Sequence, residues 1–446
     1  MPAAHPTGAQ HEVAIDEIFF STTDDKGVIQ QSNEVFVRLS RYPHQELVGA
    51  PHNLIRHPEM PGGAFYAMWQ TLEAGSPFVA YVHNLAKDGS RYDVLATVSP
   101  LPDGGYLSVR TRPMLTDIAE TASRIYADTH AEEQRLRSNG ANRRAAAQAG
   151  ADQILERLSR LGFDGYSAFQ RTVLPAEVVK REAVAAGFPE RANATGVLKG
   201  ALEGARHLQQ GLDAWMGEQD ALASTSTALT QATGRIEKQL EAVSTTSNAI
   251  AASSAAHQNP NALVPLQLWS QMQGLVGNQL SRLLGDISRL AESVAETRFR
   301  IALARLQSSM LANFIAEIVD AGPDAQRARS ACAVLIDAVR AGIEVMGESS
   351  AQHRRLSAQV ADLIDRTLSL ASLPIQLLLQ WRSSSVATSS DSGLADLVPT
   401  ISSAITETYE SLAALETLGH QCRDQGQDQD RAPLLAALTA IEPAGR

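Results

Sequence analysis

The chain has 446 residues, 44% of them apolar, and a formal net charge of −11, a length for two to four domains and a composition that excludes a disordered chain. The charge divides into −4 for residues 1–115 and −7 for the rest, with no block of Lys or Arg that would track a phosphate backbone, so nucleic acid is excluded as a partner. Two cysteines, Cys332 and Cys422, exclude a disulfide framework and suit a reducing cytosol.

Residues 1–14 hold Pro, Gly, His and Ala without periodicity and read as a flexible arm. Ile18–Thr22, the turn T-D-D-K-G and Val28–Gln30 make a hairpin. Asn33 caps a helix whose apolar residues are Val35, Phe36 and Leu39, and Ser40 to Gly49 gives a second short helix ending at a glycine. Next comes N-L-I-R-H-P-E-M-P-G-G-A-F-Y-A-M-W, from Asn53 to Trp69. Pro58 and Pro61 remove two backbone donors and fix φ, so Arg56–Gly62 is a shaped loop. After it Phe65, Met68, Trp69 and Leu72 fall at i, i+3, i+4 and i+7, one face of a helix. Three strands follow: Phe78–Leu85, closed by Lys87-Asp88-Gly89; Ser90–Ser99, with Tyr92, Val94, Ala96 and Val98 alternating; and Gly105–Arg112. Residues 15–114 are thus expected to be an α+β domain, a five-stranded antiparallel sheet with short helices over one face. Of the 22 aromatic residues 11 lie before Leu115, so the pattern beyond it belongs to a different architecture.

Residues 115–195 read as a helical connector and 196–380 as an all-α bundle or coiled coil of long helices. Stepping by seven from Leu280 gives Leu280, Ile287, Val294, Ile301, Ser308 and Ile315, and from Leu283 gives Leu283, Leu290, Thr297, Ala304, Leu311 and Ile318. Ten of these twelve seam positions are apolar, which calls for a partner helix and leads to the expectation of a homodimer. The segment Asn259–Pro265 reads as a hinge and residues 381–393 as a Ser-rich linker; 394–420 reads as a further helix, and 421–446 as a polar tail with a small amphipathic piece. The start, M-P-A-A-H-P-T-G, has no basic n-region or apolar core, and no run approaches the ~18 apolar residues of a spanning helix. The protein is expected to be soluble and cytoplasmic, without membrane insertion.

The motifs N-x-x-R-H-P-E-M-P, F-x-x-M-W-x-T-L, P-F and N-x-x-K-D-G, in that order, resemble the flavin-binding PAS domain of the aerotaxis receptor family. The resemblance runs from about Ser21 to Arg112 and covers nothing beyond. It implies a noncovalently held FAD and a cofactor-binding set of Asn33, His52, Arg56, His57, Glu59, Phe65, Trp69, Asn84 and Tyr92. Within that set Trp69 flanks the ring and Asn84 lies near its reactive edge. Glu59 departs from the Asp expected in the family. Receptors of this family continue into membrane segments and a methyl-accepting hairpin with an A-I-E-A-A-R-A-G-E type tip; neither is found here.

Other chemistries fit less well. His52, His57 and Glu59 match no standard metal spacing, and nothing around His52, His57 or His83 supports a haem. Neither cysteine lies within residues 1–115, which argues against a light-driven flavin adduct. No G-x-S-x-G, P-loop or H-E-x-x-H occurs. The resemblance therefore implies a non-enzymatic redox or oxygen sensor that binds FAD and acts through helices on an unidentified downstream signalling protein. The alternative is a ligand-free PAS scaffold.

Overall fold

The computed structural model describes residues 4–251, 264–321, 325–383, 398–426 and 429–446. Residues 252–263 and 384–397, which hold most of the expected hinge and linker, lie outside them. Five strands form near the N-terminus: β1 (Phe19–Thr23), β2 (Ile29–Ser32), β3 (Phe78–Leu85), β4 (Arg91–Pro100) and β5 (Tyr106–Thr111). They make one antiparallel sheet in the order β2-β1-β5-β4-β3. β3 and β4 stay in register from Phe78↔Val98 to Leu85↔Arg91, joined by a turn in which Gly89 takes the left-handed φ of 84°. Over the inner face lie α1 (Glu34–Ser40), α2 (His44–Leu47), a 3₁₀ turn (His52–Ile55) and α3 (Gly62–Glu73). The α+β class and the five-stranded sheet with short helices are as the sequence leads one to expect.

The second face of the sheet is covered as well. Helices α4 (Thr116–Ser138), α5 (Arg143–Arg160) and α6 (Gly165–Glu182) follow β5. Side chains pointing away from the inner face, among them Phe20, Val79, Tyr81, Leu107 and Val109, share a core with Tyr126, Phe169, Val173 and Leu174. β3 is an edge strand, and helical side chains occupy its free backbone groups: Val79 N donates to Gln170 Oε1 (3.2 Å), and Tyr166 Oη donates to Val79 O (3.0 Å). Glu177, 2% exposed, accepts from Tyr81 Oη (2.6 Å), Met114 N (2.7 Å) and Leu115 N (3.0 Å). One buried carboxylate thereby ties the sheet to the start of α4.

The remaining elements are α7 (Gly196–Ala251), α8 (Val264–Val319), α9 (Ala325–Arg382), α10 (Val398–Gln425) and α11 (Ala432–Ile441). Two compact units result, the first Met1–Met216, Arg298–Met346 and Asp430–Arg446, the second Gly217–Thr297 and Gly347–Gln429. In the second, Leu280, Leu283, Ile287, Leu290 and Val294 of α8 pack with Leu229 and Ile236 of α7, Val360 and Ile364 of α9, and Leu415 of α10. In the first, Ile301, Ala304, Leu311, Ile315 and Ile318 belong to the core that also covers the sheet. All twelve seam positions are buried within one chain, so the seam by itself does not demand a second copy.

Two segments are more ordered than their composition suggests. The arm is laid along the start of β4, with Thr7 N donating to Gly89 O, His11 N to Arg91 O and Arg91 N to Ala9 O. The His11 ring stacks on Tyr92 at 5.1 Å and its nitrogens lie 3.0 Å from Ser90 Oγ and Leu39 O. The polar tail contains α11, whose Leu434, Leu438 and Ile441 are buried in the first unit's core. No helix among the described residues is long and apolar enough to cross a membrane.

Candidate functional site

The R-H-P-E-M-P loop is fixed by the end of β3. Arg56 bridges Asn84 through the backbone, and His57 N donates to His83 O at 3.2 Å. Adjacent residues of such an extended pair point to opposite sides. Arg56 consequently turns inward and His57 outward. Pro61 then ends the loop, and α3 begins at Gly62 with Phe65, Met68, Trp69 and Leu72 facing the sheet.

Between them lies a cavity of about 270 Å³. Its floor is the inner face of the sheet, Phe78, Ala80, Val82 and Asn84 from β3, Ala96 and Val98 from β4, and Tyr106, Ser108 and Arg110 from β5. Its wall is α3, and its rim is formed by Thr23, Lys26, Gly27, Pro51 and Asn53. Trp69 meets Tyr106 edge to face at 5.4 Å and closes onto the tight turn at Gly27. Arg56 stacks its guanidinium 3.4 Å from the centre of the Phe65 ring.

The electrostatics of the cavity are one-sided. Lys26, Arg56 and Arg110 line it, and no carboxylate does. Burial pushes both guanidinium groups down, each to about 10. Arg110 is 6% exposed and donates to His52 Nε2 (2.9 Å) and Ser21 Oγ (3.3 Å) while lying over the Phe19 ring. Burial, and then the Arg110 charge, hold His52 well below its ordinary value. The imidazole is therefore neutral and accepts from Arg110 through Nε2. Two inward polar atoms, Arg56 Nε and Asn84 Nδ2, have no hydrogen-bond partner, which is costly for buried donors unless a ligand completes them.

Of the nine residues expected around a cofactor, His52, Arg56, Phe65, Trp69 and Asn84 line the cavity. The other four are placed elsewhere. Asn33 is consumed structurally: its Oδ1 accepts from Phe36 N and Phe20 N, and its Nδ2 donates to Ile18 O. His57 is buried on the outward side of the loop, and Glu59 is exposed. Tyr92 sits opposite Asn84 in register but is covered by the core under α1, its hydroxyl without a partner. Arg110, Lys26 and Ser108 are lining residues that sequence reasoning passed over. Arg110 had a signal: it is a charge on the alternating face Tyr106, Ser108, Arg110 of a strand with both neighbours buried.

Among the described residues no group of three or more His, Cys, Asp or Glu could hold a metal. Both cysteines are buried, and neither lines the cavity.

No protein-family model matches the chain. The aerotaxis receptor of Escherichia coli (strain K12) is 42% identical over 123 residues, 26% of this chain and 24% of the receptor. The chain thus spans about a quarter of the length of that curated relative. Among solved structures, the blue-light photoreceptor Aureochrome1 LOV in its light state matches at 20% identity over 24% of this chain and 88% of that one, with a TM-score of 0.22. A fungal LOV domain photoreceptor matches at 21% identity over 24% and 80%, with a TM-score of 0.20. The N-terminal part of the chain is thus similar in sequence to part of the aerotaxis receptor, as its motifs lead one to expect.

Proposed function

We propose that the N-terminal domain holds FAD with its ring in the cavity, and that the protein is a redox or oxygen sensor whose signal leaves through the helical region. One observation carries the reading: a cavity walled by Trp69 and Phe65 contains three cations, no carboxylate and two unpaired inward donors. Such a site suits an aromatic ring edged with carbonyl and imide groups and attached to a phosphate chain. A volume of about 270 Å³ lies just below the roughly 300–1,000 Å³ of ligand pockets. It suits a ring system, with the rest of a dinucleotide running past the exposed Lys26 at the rim.

When bound, FAD supplies a ring whose charge and protonation change on reduction. The chain's own part is to hold and to read it. Arg56 and Arg110 offer positive charge to electron-rich edges. Asn84 offers an amide, both donor and acceptor, that re-pairs when a neighbouring atom gains a proton. Trp69 walls the cavity and keeps it dry. The relative's description as an aerotaxis receptor supports a sensor over an enzyme, and a cavity of this size filled by one ring leaves little room for a substrate. We further propose that the protein acts in the cytoplasm on a signalling partner.

The purified protein is expected to be yellow, with flavin absorption that bleaches on anaerobic reduction and returns in air. Arg56→Ala should weaken FAD binding about 10–100-fold, the worth of one charge-assisted hydrogen bond of ~1.5–3 kcal/mol. A colourless protein that takes up no FAD on reconstitution would leave the ligand-free scaffold as the reading.

A further inference from the structure

The helix that walls the cavity has no cap of its own. Pro61 precedes α3 and supplies no side-chain hydrogen bond to its first turn, although the opening N–H groups of a helix need acceptors. The acceptor comes from α4, outside the sheet domain. Glu133 Oε2 lies 2.7 Å from Gly62 N and its Oε1 2.7 Å from Gly63 N. This carboxylate is 7% exposed, at the end of the helix where the backbone dipole favours an anion.

The glycines here leave space for this contact and for nothing else. A methyl group on Gly63 would overlap the backbone of Gly150 and Ala151 in α5, and one on Gly150 would overlap the Glu133 carboxylate. A methyl on Gly62 would lie 3.1 Å from Ala147 Cβ. α3 and α5 therefore touch backbone to backbone, with the α4 carboxylate seated in the same spot. A side-chain interface absorbs small shifts by changing rotamers, whereas a backbone contact of this kind passes them on.

We infer that Glu133 is the positioning residue that couples the cavity to the helices beyond the domain. Whatever fills or empties the cavity bears on Phe65, Met68 and Trp69, hence on α3. The bidentate Glu133 contact converts that displacement into one of α4, while the Gly63 backbone contact carries it to α5 independently. The inference rests on the reading above only for the identity of the ligand. The coupling is a property of the apoprotein.

The test is hydrogen exchange followed by mass spectrometry on the full chain, in two arms. In the first, without ligand, Phe65→Ala disturbs the cavity wall in the wild-type and Glu133→Gln backgrounds. Exchange in residues 116–138 is expected to quicken several-fold in the wild-type background and to be unchanged by Phe65→Ala in the Glu133→Gln background. Gly150→Ala, which displaces the carboxylate while keeping its charge, should act like Glu133→Gln and serves where the latter fails to fold. In the second arm FAD is added. Protection should rise in residues 62–73 of both proteins, and in residues 116–138 of the wild type alone. Equal responses of residues 116–138 in both backgrounds, or no response in either, would overturn the inference. A wild type that binds no FAD defeats the flavin reading, and the first arm still decides this one.

Discussion

Arg110 shows what a buried charge without a carboxylate implies. Its guanidinium is held by a neutral imidazole and a hydroxyl, which satisfies donors but does not balance the charge. In the empty protein Arg110→Met should leave stability unchanged or raise it by about 1 kcal/mol, because desolvation of the charge is relieved. The same change should weaken binding of an anionic flat ligand about 10-fold or more. Thermal unfolding of the ligand-free variant and titration with FAD give the two numbers, and a loss in both would make Arg110 a purely structural residue. His52 adds a pH dependence. Its folded value lies well below 6.5, so below that pH the unfolded chain takes up a proton that the folded protein refuses. Stability is complete above about pH 6.5 and falls as pH drops. His52→Gln keeps an acceptor for Arg110 and should remove up to one proton from the slope between pH 6.5 and 5, roughly 1.4 kcal/mol per pH unit at most. Urea unfolding across that range measures it. Identical slopes would show that His52 titrates normally.

Among the elements, α3 carries the most constraint. Its inward face forms the cavity wall, its N-terminus is capped from α4, and its Gly63 rests on the backbone of α5. Gly63→Ala is therefore expected to force the two helices apart at a cost of about 1–3 kcal/mol, the range for overpacking in a filled core. Chemical denaturation reads this directly. A midpoint equal to wild type would mean that the α3–α5 contact yields freely. β3 is the second constrained element. Its inner residues floor the cavity, and its outer edge is occupied by Gln170 and Tyr166, so both of its sides answer to other parts of the first unit.

For the molecule as a whole, the informative fact is where the long apolar seam goes. Leu280, Ile287 and Val294 are covered by α7, α9 and α10 within the second unit, and Ile301, Leu311 and Ile315 by the core of the first. A homodimer built on this seam would have to displace contacts already made within one chain. Light scattering of the full chain at tens of micromolar tests the homodimer, and a mass of two chains would assign its interface to another surface.

Much of the cavity was legible in the sequence, because the signals are local. Alternation with period two set the faces of β4, and the 3.6-residue spacing of Phe65, Met68, Trp69 and Leu72 set the inward face of α3. Pro58 and Pro61 marked the loop, and the R-H-P-E-M-P motif drew attention to Arg56. The same motif also suggested His57 and Glu59, yet the backbone pairing at Asn84 turns neighbouring side chains to opposite sides. Only tertiary structure decided what lies across from each face. Arg110 becomes a cavity residue through His52, 58 positions away; α3 is capped by Glu133, 71 positions from Gly62; the outer sheet face is closed by α6. A hydrophobic or charged pattern states that a face must be covered. Which distant residue covers it depends on how the chain closes in space, and no local period records that.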